Sequence, residues 1–164
     1  MIKKIFDWFL NKLFKTSTYP VLFRDLLEAN ALYNEGMLVD PAKLNFRIKI
    51  LNIYIFYFIL CLIIFVPLIL ITHYTFTKID FHFSIISSIV GTSCVFILFD
   101  IFRIYIRKII SKRLILQAWK IHFPYFEYEK YSKKVEKIYK QALKQEVPKN
   151  ALECYILEQI VKQD

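Results

Sequence analysis

The sequence predicts an all-α membrane protein, with a hairpin of two transmembrane helices, an N-terminal amphipathic helix and C-terminal cytosolic helices. The first observation is charge segregation, since no Asp, Glu, Lys or Arg occurs in residues 50–77 or 81–99. The second is composition, since 57% of the residues are hydrophobic while the charged fraction is an ordinary 23%. A bilayer imposes this segregation, because a charge at its centre costs about 3 kcal/mol.

The two uncharged runs differ in length. Residues 50–77 would extend about 42 Å as a helix, which exceeds the roughly 20 residues that a bilayer core requires. Pro67 lies inside this run and predicts a kink, because proline removes one backbone hydrogen bond. Residues 81–99 cover about 28 Å, close to one bilayer core. We expect a transmembrane hairpin over residues 46–106, with spans at about 50–73 and 82–105 and a loop at 74–81.

In the first 15 residues, MIKKIFDWFLNKLFK, apolar residues recur at helical spacing, so they share one side of a helix and the polar residues share the other. Charged residues interrupt any central apolar stretch, which excludes a cleavable signal peptide. We interpret residues 1–15 as an amphipathic helix that lies in the membrane interface. The alternative is a helix packed on the cytosolic part of the same protein. The residues expected at the membrane surface are Ile5, Phe6, Trp8, Phe9 and Leu13.

Residues 16–45 form a predicted cytosolic helical segment. A helix is expected over 21–33, ending near Gly36, and Asp40 followed by Pro41 offers a cap and a first turn for the first spanning helix. No strand pattern is expected outside the spans.

Residues 107–164 form a basic helical tail. Pro124 should end the extension of the second span. Apolar residues then recur with steps of three and four, which fits either a short coiled coil or, as we prefer, one face of a small intramolecular bundle. They are Tyr128, Tyr131, Val135, Ile138 and Ala142. A last helix is expected from Asn150 to Val161.

Positive charges give the expected orientation. Eight basic residues flank the outer ends of the two spans, whereas the connecting loop has only Lys78, so both termini are expected in the cytoplasm. They are Lys43, Arg47, Lys49, Arg103, Arg107, Lys108, Lys112 and Arg113. The frequent use of Ile, Phe, Lys, Tyr and Asn indicates an AT-rich genome, from which we infer a bacterial inner membrane. The net charge of +9 fits anionic lipid head groups better than nucleic acid.

Asp100 closes the second uncharged run, with Arg103 one turn later. We interpret it as part of an interfacial charge cluster that sets the depth of the hairpin, together with Arg47, Lys49 and Arg107. The alternative is a ring of Asp100 carboxylates at the mouth of an oligomeric cation pore.

Small and weakly polar residues crowd one side of the second span. They are Ser84, Ser87, Ser88, Gly91 and Thr92. Such residues let helices approach closely, so they predict helix packing. A water-lined pore is the less economical interpretation, because the inner half of the span, VFILF, supplies no polar lining.

No arrangement typical of catalysis is found, and no enzyme activity or cofactor is expected. The three cysteines have no metal-ligand spacing. His73, Asp80 and His82 make only a weak metal set, so no metal site is predicted, and the isolated His122 is expected to be interfacial.

These features predict a non-enzymatic multi-pass membrane protein that acts as an anchor, an assembly factor or an accessory subunit of a larger membrane complex. Its expected partners are membrane lipids and either a membrane protein complex or further copies of itself. The alternatives are a homo-oligomeric pore or membrane-disrupting effector, and a regulator that senses lipid charge.

Overall fold

The computed structural model describes residues 2–76 and 81–162, and the mostly helical class is confirmed, with 74% of the residues in helices. The helices and strands follow in the order α1 (Ile2–Leu13), β1 (Phe14–Thr16), α2 (Phe23–Asn34), β2 (Phe46–Ile48), α3 (Ile50–Phe76), α4 (Phe81–His122), α5 (Tyr128–Lys144) and α6 (Leu152–Lys162).

The chain divides into two compact units. The apolar unit contains Met1–Leu13 and Lys49–Ile106, and the packed unit contains Phe14–Ile48 and Arg107–Asp164. The packed unit thus joins two stretches, residues 16–45 and 107–164, that the sequence leaves as separate segments. Helix α4 is continuous and contributes residues to both units.

The expectation that no strand lies outside the spans is wrong. Strands β1 and β2 pair antiparallel, with Phe14 opposite Ile48, Lys15 opposite Arg47 and Thr16 opposite Phe46. Each strand places a buried phenylalanine next to an exposed basic residue, as expected where successive side chains alternate between two faces. The segments are only three residues long, too short for this alternation to stand out from helical periodicity.

The expected start of the first spanning helix at Pro41 is also wrong. The side chain of Asp40 accepts a hydrogen bond from the backbone N–H of Ala42 at 3.0 Å, which closes a local turn instead of capping a helix. Asn45 then has a positive φ of 51°, and β2 follows. The long helix therefore begins only at Ile50.

The core of the packed unit is formed by α2, α5, α6 and the part of α4 after Ile106. Its largest fully buried side chains include Trp119, Phe123, Leu26, Leu27 and Ile156. Asn30 on α2 donates a hydrogen bond to the carbonyl of Ser132 on α5 at 2.9 Å. The guanidinium of Arg107 donates two hydrogen bonds to the carbonyl of Val39, at 3.1 and 2.7 Å.

Helix α5 packs within the chain. Tyr131, Val135, Ile138 and Ala142 are buried, so this apolar face contributes to the intramolecular bundle and does not remain free for a coiled coil.

The predicted helix ends agree with the structure. Helix α2 ends before Gly36, whose φ of +80° allows the N–H of Met37 to bond the carbonyl of Leu32. Helix α4 ends at His122, two residues before Pro124, and the last helix runs from Leu152 to Lys162.

Candidate membrane-contacting site

Helices α3 and α4 are each long and apolar enough to cross a membrane. In α3 and in the part of α4 before Ile106, most of the apolar side chains that the structure describes are exposed, among them Ile55, Phe58, Ile63, Phe96 and Ile97. A helix that is apolar on all sides is stable either in a protein core or in lipid. Because the described side chains of α3 and of the first part of α4 are mostly not enclosed by protein, lipid is the environment that suits their surface.

An aromatic cluster joins the two long helices within the apolar unit. Tyr54 stacks on Phe99 with ring centroids 4.6 Å apart, and Tyr57 lies edge-on to Phe99 at 5.1 Å. The hydroxyl of Tyr57 donates a hydrogen bond to the carbonyl of Val95 at 2.5 Å. This bond gives a polar group in an apolar helix an internal partner, as a lipid environment requires. Sequence reasoning missed the cluster, although two tyrosines three residues apart in an uncharged run are a detectable signal.

A purely apolar groove of about 320 Å³ lies beside this cluster, between α3 and α4. Its lining consists of Tyr57, Leu60, Cys61, Ile64, Phe65, Leu98, Ile101, Phe102 and Tyr105. The hydroxyl of Tyr57 is already bonded to Val95, and almost all of the exposed lining is apolar, so its chemistry suits another apolar surface or a hydrocarbon chain.

Helix α1 packs on the beginning of α3. Phe9 meets Phe56 edge-on at 4.2 Å, and the side chain of Asn52 donates to the carbonyl of Lys12 at 2.5 Å. Leu13, which the sequence assigns to the membrane surface, has no exposed area. That assignment is wrong for Leu13, because the end of α1 turns its side chain into the protein.

Trp8 lies on the outer side of α1, with the ammonium group of Lys12 5.7 Å from the centre of its ring. Its side chain is 59% exposed. An exposed tryptophan beside a lysine is typical of a helix in the membrane interface, where the ring meets the head groups. The side chains of Ile5 and Phe6 lie outside the described residues, so their assignment to this surface stays a prediction.

The structure describes the side chains of the predicted packing stripe only at its C-terminal end, at Gly91 and Thr92. Gly91 is half-buried, and a Cβ atom added to it would meet no atom within 4 Å. Thr92 is exposed. The side chains of Ser84, Ser87 and Ser88 lie outside the described residues. Among the described residues Gly91 therefore serves no close contact, and its open side is available to a second helix.

The residues of the predicted charge cluster occupy different settings. Asp100 and Arg103 are exposed on α4, and in the described part of the chain neither forms an ion pair. Arg47 is exposed on β2, and Lys49 is exposed just before α3. Arg107 is partly buried, with its guanidinium on Val39. The joint role of these charges at a membrane interface stays a prediction.

Pro67 lies inside α3, which runs from Ile50 to Phe76. The kink expected at Pro67 stays a prediction.

Polar and titratable groups in the packed unit support its fold. Burial raises the pKa of Tyr128 to about 12, with the neighbouring Tyr33 and Glu129 contributing in the same direction. The pKa of Lys140 is raised by hydrogen bonds to Glu136 and Glu35.

His122 lies beside the start of α2, and its Nε2 is 2.8 Å from the carbonyl oxygen of Val21. Its ring also meets Phe23 edge-on at 5.5 Å. The side chains of His73, Asp80 and His82 lie outside the described residues. Within the described part of the chain, no group of three or more potential metal ligands occurs.

Comparisons with protein-family models, with curated proteins and with solved structures find no match for this chain.

Proposed function

We propose that this protein is a non-enzymatic, multi-pass protein of a bacterial inner membrane, acting as an anchor, assembly factor or accessory subunit of a larger membrane complex. The observation that carries the proposal is the pairing of two exposed apolar helices with one packed unit. The helices supply attachment, and the packed unit supplies a folded surface on which a partner can bind.

The packed unit is formed by chain segments from both sides of the predicted hairpin, which supports a two-span topology. Its core joins residues before α3 to the second half of α4 and to α5, through the Arg107–Val39 and Asn30–Ser132 hydrogen bonds. Two crossings by the intervening helices return the chain to the side from which it started. Both flanks are rich in Lys and Arg, so we assign this side to the cytoplasm.

The packed unit also exposes apolar side chains that a partner could cover. Tyr125 is 92% exposed after the end of α4, and Ile121 is exposed in the last turn of the same helix. Leu22 is exposed next to Val21, whose carbonyl contacts His122. Exposed aromatic and aliphatic residues on a charged surface are frequent centres of protein interfaces.

Fractionation tests the membrane assignment. The full chain should remain in the membrane pellet after alkaline carbonate washing, and tags on both ends should be protected from protease added outside intact cells. Recovery in the soluble fraction, or an externally accessible tag, would contradict the topology.

Affinity purification in mild detergent tests the role. We expect a stoichiometric partner or a defined oligomer, whose amount falls when Tyr125→Ser and Ile121→Ser are combined. The matched control replaces Val161, an exposed apolar residue on α6, with Ser. A clean monomer without a partner would argue against an accessory subunit.

Gly91 supports a second proposal, a homo-oligomeric pore or membrane-disrupting effector. Because the chain itself leaves space around Gly91, Gly91→Leu should fold normally but block close approach of another copy. Expression of the wild type should collapse the membrane potential, and Gly91→Leu should restore it. Val90→Leu, which enlarges an exposed neighbour, is the matched control. Unchanged potential in the wild type would remove this alternative.

A regulator that senses lipid charge remains a third proposal. Its test needs the full chain, because residues 107–164 belong to the same compact unit as residues 14–48.

A further inference from the structure

Strands β1 and β2 present one apolar and one basic face. Phe14 and Phe46 are buried, with ring centroids 6.3 Å apart. Lys15 and Arg47 are direct register partners on the opposite face, and both side chains are exposed. Direct partners in an antiparallel pair have Cβ atoms about 5 Å apart, so the two cationic groups can reach one ligand.

The arrangement is unfavourable for the isolated protein. Like charges directly opposite each other destabilise a strand pair, and a two-stranded sheet this short is itself only marginally stable. In the described part of the chain, neither Lys15 nor Arg47 forms an ion pair. An anion bound between them would replace repulsion with attraction.

The position of the pair indicates where such an anion would come from. Arg47 precedes Ile50, the first residue of the long apolar helix α3, by three residues. If α3 enters the bilayer near Ile50, then Arg47 lies at the depth of the lipid phosphates. Chains that carry basic residues at this depth are attracted to anionic lipids of the cytoplasmic leaflet.

We propose that Lys15 and Arg47 together form a binding site for the phosphate group of an anionic phospholipid. The planar guanidinium can donate two parallel hydrogen bonds to phosphate oxygens, and the lysine ammonium adds a flexible point charge. The site deepens the proposed membrane role and rests on it. A competing explanation is that the two charges only protect the sheet edge from pairing with other chains.

Lipid titration of the purified full chain in a neutral detergent, followed by native mass spectrometry, distinguishes the two explanations. The wild type should bind one phosphatidylglycerol more tightly than phosphatidylcholine. The double variant Lys15→Gln/Arg47→Gln should weaken phosphatidylglycerol binding about 25-fold, from about fivefold per basic residue near the lipid surface. The control Lys133→Gln/Lys137→Gln removes two exposed lysines one turn apart on α5 and should change binding less than about twofold.

The variant Arg47→Glu separates binding from folding. It places opposite charges in register with Lys15, so the thermal midpoint should stay unchanged or rise while lipid binding is lost. Wild-type affinity in Arg47→Glu, or an equal loss in the α5 control, would overturn the proposal and leave protection of the sheet edge as the role of the pair.

Inorganic phosphate distinguishes a lipid from a free anion. We expect millimolar phosphate to displace little phosphatidylglycerol, and complete displacement would overturn the assignment to lipid. The membrane role itself is tested separately by fractionation. A carbonate-resistant chain without phosphatidylglycerol preference refutes only the binding site, whereas a soluble chain refutes the membrane role.

Discussion

Helix α3 in the apolar unit and helix α5 in the packed unit place their apolar side chains differently. Helix α5 concentrates its apolar residues on one face and buries them, while lysines and glutamates occupy the other side. Helix α3 is apolar all round and leaves most of that surface exposed. Burial within the protein therefore does not account for the apolar composition of α3, whereas contact with lipid does.

The two units also differ in the surroundings of their polar side chains. In the packed unit, Asn30 is enclosed by protein, and its Nδ2 donates to the backbone carbonyl of Ser132, whereas its Oδ1 has no hydrogen-bond partner among the described residues. In the apolar unit, the hydroxyl of Tyr57 reaches a helical carbonyl of α4. Each environment requires internal partners, but only the packed unit excludes water through its own core.

The largest expected effect contrasts the two tryptophans. Trp119 is 2% exposed, lies with its ring tilted against Phe123 at 4.4 Å between centroids, and donates through Nε1 to the carbonyl of Phe126 at 2.8 Å. Trp119→Ala should lower the free energy of unfolding of the packed unit by about 3–5 kcal/mol, because a cavity replaces a buried ring. Trp8→Ala, at an exposed position, should cost less than about 0.5 kcal/mol. Urea denaturation in detergent, followed by circular dichroism, measures both, and equal losses would contradict the division into units.

Substituting lysine for an equally exposed apolar residue in each unit tests whether the two surfaces face different solvents. Ile63 in the middle of α3 is 66% exposed, and Val161 on α6 is 67% exposed. Ile63→Lys should raise the free energy of membrane insertion by about 2.5–3.5 kcal/mol, because lipid cannot hydrate the ammonium group. Val161→Lys should change stability by less than about 0.5 kcal/mol. A glycosylation-based insertion assay reports the first and thermal unfolding the second. Harmless substitution at Ile63 would mean that water surrounds α3.

Asn30 tests how far the packed unit depends on a buried polar contact. Asn30→Ala removes the hydrogen bond to the Ser132 carbonyl and should lower the free energy of unfolding by about 1–3 kcal/mol. The control Asn150→Ala, at an exposed position before α6, should have little effect. Chemical denaturation measures both variants, and an unchanged midpoint for Asn30→Ala would show that the bond does not stabilise the α2–α5 contact.

The smallest effect is expected at Tyr57. Tyr57→Phe keeps the ring and removes only the hydrogen bond to Val95, so it should cost about 0.6 kcal/mol, the average for such bonds between membrane helices. Tyr54→Phe retains the stack on Phe99 and should be neutral. Unfolding of the apolar unit by sodium dodecyl sulfate provides the measurement. A larger loss of stability in Tyr54→Phe than in Tyr57→Phe would contradict the stabilising role of the Tyr57 hydrogen bond.

Much of the fold was predictable because its signals are local. The uncharged runs gave α3 and α4, Gly36 gave the end of α2, and the steps of three and four marked the buried face of α5. The missed features all depend on pairing between distant residues. Nothing near Lys15 in the sequence indicates Arg47 as its partner, and the helical spacing of residues 1–15 does not reveal that Leu13 is buried.

The sequence by itself determined where most of each helix lies and which surfaces are apolar, because propensity and the placement of charges act over a few residues. The tertiary structure decided that residues on both sides of α3 and α4 build one core, and that two basic side chains share a strand face. These outcomes depend on contacts between residues tens of positions apart, which local periodicity does not encode.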